Sequence, residues 1–105
     1  GSCSDQPFLL SVGPTEIRVS ELVLKADEIR VGASGGFLEL IVTDPNQIEP
    51  LLEEQLVVET GQDATLPLPE LMPGTHYQII ASVICSTDAP SKNNTAIVDY
   101  NVPHN

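Results

Sequence analysis

Ser34 sits in Gly32-x-Ser34-x-Gly36, the spacing of a nucleophile elbow, in which glycines permit a strained turn that presents a serine hydroxyl to a substrate carbonyl. That chemistry needs a strand-to-helix turn in a large parallel sheet, with a His and an acid delivered from elsewhere. Here the motif lies between two strand-like segments, so residues 32–36 are expected as a connecting loop and the chain as a non-enzymatic domain. His76 and His104 have no metal-ligand spacing to a second His or Cys, and a zinc site needs three or four convergent ligands, so both are expected in solvent. Asp44, Asn46, Glu49, Glu53, Glu54, Glu59 and Asp63 supply oxygens of the kind calcium takes, but without EF-hand spacing they read as solvated loop acids. No metal or cofactor is expected.

Two further signals concern the compartment rather than catalysis. Asn93-Asn94-Thr95 is an acceptor sequon, which makes Asn93 a candidate N-glycosylation site in a secreted protein. Cys3 and Cys85 allow one intramolecular disulfide, which implies an oxidising compartment, or are two unrelated thiols. Gly1-Ser2 reads as a remnant of expression-vector sequence, with any targeting segment removed, and no apolar run is long enough to cross a bilayer as a helix.

Charge narrows the partners. Fifteen acids against four Lys and Arg (Arg18, Lys25, Arg30, Lys92) give a formal charge of −11, a field that repels nucleic acid and anionic membrane surfaces. The same acidity keeps a domain soluble and suits a basic partner. The 105 residues suffice for one domain with a core of its own. With Phe8, Phe37, Tyr77 and Tyr100 as its only aromatics and no Trp, that core must be built from Leu, Ile and Val, a composition that favours strands.

The elements follow from period-two alternation. Residues 15–20 and 27–32 are near copies of one pattern and are expected as two antiparallel strands joined through Leu22 to Ala26. Residues 37–43 are apolar on both faces, the pattern of a central strand. Pro50 as a first-turn residue places one helical turn at Leu51 to Gln55, ahead of a short strand over 56–59. Residues 64–68 form a strand which Pro67 and Pro69, lacking amide donors, confine to an edge. Residues 77–85 put Tyr77, Ile79, Ala81, Val83 and Cys85 on one face, and 95–102 do the same with Ala96, Val98, Tyr100 and Val102. Ahead of the sixth of these strands, Leu71-Met72-Pro73-Gly74-Thr75-His76-Tyr77 is a sharp turn whose Tyr77 can bury its ring and return its hydroxyl to nearby main chain.

Leu71-x-Pro73-Gly74-Thr75-x-Tyr77-x-Ile79 resembles the turn before the sixth strand of fibronectin type III domains. Pro14-x-x-Ile17-x-Val19-x-x-Leu22 is similar to that family's first strand and Ile29-x-Val31-x-Ala33 to its second, so the likeness runs over residues 14–103. Ala33 stands where the family usually has a core Trp, which leaves a divergent member or a related immunoglobulin-like sandwich. The resemblance implies an all-β, seven-stranded Greek-key sandwich over residues 14–105. Residues 1–13 form an extension whose Phe8, Leu9, Leu10 and Val12 could add an edge segment.

It further implies an extracellular adhesion or interaction module of a larger cell-surface or secreted protein. The partner would be a protein ligand or the neighbouring domains, held by loops 32–36, 61–63 and 87–94 or by a sheet face, and the integrin-binding Arg-Gly-Asp triplet is absent. In the family's topology the chain start and the end of the sixth strand share a pole, which makes a Cys3–Cys85 bridge sterically reasonable. Such a bridge closes a loop of about 80 residues and would contribute roughly 4 kcal/mol. The alternative role is a structural spacer in a secreted multidomain protein or a bacterial surface lipoprotein, with Cys3 as the lipid-modified residue.

Overall fold

The computed structural model describes residues 4–24, 37–84 and 94–104. Among them there are seven strands and no helix: β1 Leu9–Val12, β2 Glu16–Ser20, β3 Phe37–Thr43, β4 Leu52–Val57, β5 Ala64–Pro67, β6 His76–Ile84 and β7 Thr95–Asn101. They form two antiparallel sheets, of order β1-β2-β5 and β4-β3-β6-β7.

Alternation explains the layering. Along β6, Tyr77, Ile79, Ala81 and Val83 are buried while Gln78, Ile80 and Ser82 face outward, and along β3 the buried set is Leu38, Leu40 and Val42. The β3–β6 register places Leu38 opposite Val83, Leu40 opposite Ala81 and Val42 opposite Ile79, so a small residue meets a large one in mid-sheet. From the other sheet Ile17 and Val19 of β2 enter the same cluster, joined by Phe8, Leu22, Leu24 and Val58. Each fully buried Leu or Ile of this set contributes about 1.5–3 kcal/mol of transfer free energy. β1 also lies against β7, which brings the two sheets together along one side.

Two of the four edge strands are blunted by composition. β5 ends its sheet, and Pro67 within it has no N–H to offer a further strand. β4 ends the other sheet; its Glu54 stands opposite Leu40 at an inward position yet remains exposed, a charge set where a pairing strand would have to bury it.

Four sequence expectations need correction. The helical turn at Leu51 to Gln55 is part of β4: pairing with β3 from Val42–Leu52 to Phe37–Val57 outweighs the helix propensity of a Leu/Glu/Gln stretch. The strand expected over 56–59 is the end of that same strand. Residues 15–20 do not pair with 27–32, because β1 and β5 occupy both edges of β2; residues 27–32 lie outside the described residues. Nor is the Pro14 to Leu22 segment the first strand, since Leu9–Val12 precedes it and pairs with it through Leu9–Ser20 to Val12–Ile17.

Candidate functional site

At one end of the molecule the segment 71–77 closes the turn into β6. Thr75 N–H donates to the Met72 carbonyl at 3.3 Å around Pro73 and Gly74, and Gly74 holds φ 75°, the pairing of residue types that a type II turn requires. Gly74 N–H then donates to Val102 O at 2.9 Å and Val102 N–H to Thr75 O at 3.0 Å, which ties the turn to the end of β7. A Cβ on Gly74 would drive into the His104 ring, so His104, exposed as expected, nevertheless lies over the turn. Tyr77 is buried, and its Oη accepts from Met72 N–H at 3.2 Å; Leu71 packs against the core beside it.

Beside this turn an open groove of about 420 Å3 is lined chiefly by Pro14, Leu68, Leu71, Pro73, Tyr100 and Pro103. Its remaining polar side chains are Thr15 and Glu70. Its titratable side chains are Glu70 and Tyr100, and the rest of the lining is chiefly proline and leucine, a surface suited to apolar contact.

His76 lies on the outer surface where β6 meets β7. Its Nδ1 stands 2.9 Å from Asn101 Oδ1 and its Nε2 3.5 Å from Asp99 Oδ1, so both ring nitrogens have β7 side chains beside them while the ring stays about half exposed. Among the described residues no three His, Cys, Asp or Glu side chains gather closely enough to hold a metal ion. Asp44 instead caps its own loop, accepting from Asn46 N–H at 2.8 Å through Oδ1 and from Gln47 N–H at 2.9 Å through its carbonyl.

The opposite end is knitted together by backbone and small polar groups. Ser4 N–H donates to Asn94 Oδ1 at 3.1 Å, both residues being buried, and Val83 N–H donates to Asn94 O at 2.7 Å. Ser4 forms a bridge with Leu24, Leu24 N–H donates to Thr60 Oγ1 at 2.9 Å, and Gly61 N–H donates to Leu22 O at 3.0 Å. The turn at 61–63 and Asn94 are thereby joined through one network. Cys3, Cys85, Asn93, Ser34 and the rest of loops 32–36 and 87–93 lie outside the described residues.

A surface that the sequence reading passed over is the outer face of the four-stranded sheet. Phe37, Val57, Ile84 and Ile97 leave it 51%, 66%, 42% and 56% exposed, with Ile41 and Ile80 half-buried between them. The registers arrange these as two rows, Val57–Phe37–Ile84 and Ile41–Ile80–Ile97, separated by the polar row Gln55–Glu39–Ser82–Thr95. Gln55 Nε2 donates to Glu39 Oε2 at 3.4 Å within that polar row. The signal is present in the sequence, because residues 37–43 are apolar at both phases of the alternation, the pattern expected of a central strand, and β3 does lie between β4 and β6. No protein-family model, curated protein or solved structure matches the chain.

Proposed function

We propose that this chain is a non-enzymatic extracellular interaction module of fibronectin type III type, a Greek-key sandwich that belongs to a larger cell-surface or secreted protein and binds a protein partner. The observation that carries the reading is the strand order β1-β2-β5 and β4-β3-β6-β7, in which the connections β2 to β3, β4 to β5 and β5 to β6 each cross between sheets. The hydroxyl of Tyr77 on Met72 N–H, at the corner before the sixth strand, supports the same assignment. An uncovered apolar face on a highly acidic domain supports recognition rather than catalysis.

The extracellular assignment rests on the two cysteines. Ser4, next to Cys3, and Val83, two residues before Cys85, are both bonded to Asn94, which favours a Cys3–Cys85 bridge over a lipid-modified Cys3. Alkylation of protein from an oxidising compartment, without reductant and read by intact mass, tests it: an unlabelled monomer is expected, and two labelled thiols would remove the bridge. Binding is tested by staining cells of the source organism with the domain tetramerised on streptavidin. Saturable staining that mild trypsin treatment of the cells abolishes is expected. Staining that survives trypsin, or none at all, would overturn a protein partner.

A further inference from the structure

We infer that the outer face of the four-stranded sheet docks a protein segment carrying apolar and basic side chains together, an inference that rests on the reading of the chain as an interaction module. Six apolar side chains on four neighbouring strands share this face: Phe37, Ile41, Val57, Ile80, Ile84 and Ile97. Patches of this kind on a soluble domain are the ones that partners cover.

Charge selects the partner. Glu39 stands between the two apolar rows, Glu53 pairs across from Ile41, and Asp99 lies on the same face opposite Gln78. Arg18 is the one Lys or Arg among the described residues; it belongs to the other sheet, 3.6 Å from Asp63. Basic side chains on a partner therefore meet carboxylates beside each apolar row, and the field of a domain with charge −11 accelerates their approach. A second copy would instead set like carboxylates against each other over the same apolar rows. Strand addition at the β4 edge is opposed by the inward Glu54.

The experiment uses the whole chain, isotopically labelled, titrated with short synthetic peptides while backbone amide shifts are followed. The probes are a peptide alternating valine with lysine, one alternating serine with lysine, and one alternating valine with glutamate. Saturable shifts centred on β3, β6 and the outward residues of β4 and β7 are expected with the valine–lysine peptide, and binding of the other two weaker by about ten-fold or more. Ile97→Ser and Glu39→Gln should each weaken the valine–lysine peptide several-fold while leaving thermal unfolding in place. Equal binding by the serine–lysine peptide would reduce the effect to charge and overturn the inference, as would no shift with any peptide. Shifts gathered at the Pro14–Tyr100 groove or the loops would sink the face while leaving an interaction module standing. Concentration-dependent dimerisation in sedimentation, abolished by Ile97→Ser, would assign the face to a second copy and overturn the basic partner.

Discussion

The two sheets present opposite outer surfaces. On the three-stranded sheet the outward residues are Ser11 of β1, Glu16, Arg18 and Ser20 of β2, and Thr65 and Pro67 of β5, with Leu9 as the large apolar side chain exposed there. On the four-stranded sheet, Phe, Val and Ile occupy the equivalent outward phase in two rows. Apart from Glu54 on the β4 edge, both sheets obey the same alternation inward, so the core does not explain the difference. An antiparallel sheet tolerates one wet face, and a polar outward set is what water alone selects. The apolar rows therefore reflect something besides folding, which is the ground on which the docking proposal stands.

The contrast breaks most directly at adjacent residues of β6. Ile79 is fully buried and Ile80 faces outward. Ile79→Ala should cost about 2–5 kcal/mol in urea unfolding, because the lost contacts and the remaining cavity add. Ile80→Ala should cost less than about 1.5 kcal/mol, since solvent or a rearranged neighbour fills the space. Equal losses would mean that the outer face is as well packed as the core, and the patch would no longer be an uncovered surface.

Much of this arrangement is legible in the chain, and the misreadings have physical causes. β3, β5, β6 and β7 stand close to their expected limits because one face of each alternates strictly against the core, and Pro67 marks the edge it was expected to mark. β4 escaped because it is an edge strand: Glu53, Glu54 and Gln55 are all exposed, so the alternation that identifies a strand is erased and helix-prone residues remain. Residues 9–12 are the first arm of a hairpin with β2, closed by Gly13 N–H on Glu16 O; Leu9 and Leu10 are apolar at both phases, so the local pattern alone does not set this arm apart as a strand. The outer apolar rows are ambiguous in the sequence for a related reason. A strand apolar at both phases looks the same whether its second cover is another part of the chain or another molecule.

The corner at 71–77 sharpens the comparison by holding the register that turns the isoleucines outward. A slip of one residue between β6 and β7 would exchange the inward and outward sets. Gly74→Ala should destabilise by more than about 1 kcal/mol, because a Cβ must adopt a left-handed φ and displace the His104 ring. Tyr77→Phe should cost about 1 kcal/mol by leaving the Met72 N–H without its acceptor. Denaturant unfolding measures both. A Tyr77→Phe loss indistinguishable from zero would show that the hydroxyl bond at 3.2 Å follows the turn rather than fixing it.

Exchanging single outward residues tests the faces without touching the core. Ile97→Thr should stay within about 0.5 kcal/mol of the parent in stability. Retention on a hydrophobic-interaction column should fall, because it interrupts the row Ile41–Ile80–Ile97. Thr65→Ile on the opposite sheet should raise retention by less than Ile97→Thr lowers it, since its neighbour across the sheet is Arg18 and no row is formed. Similar changes of opposite sign would make the patch a matter of composition rather than arrangement.

The smallest effect belongs to the charged pair on the polar face. Arg18 Nε and Asp63 Oδ2 are 3.6 Å apart with both side chains about half exposed, where water screens the attraction and ordering two side chains offsets what is left. Arg18→Ala should change stability by less than about 0.5 kcal/mol, and added salt should shrink even that difference. It should also leave binding of the valine–lysine peptide at the four-stranded face unweakened, because it removes a positive charge from an already acidic domain. Weakened binding in Arg18→Ala would mean that the cationic probe engages the three-stranded sheet, and the two faces would then exchange the roles assigned to them.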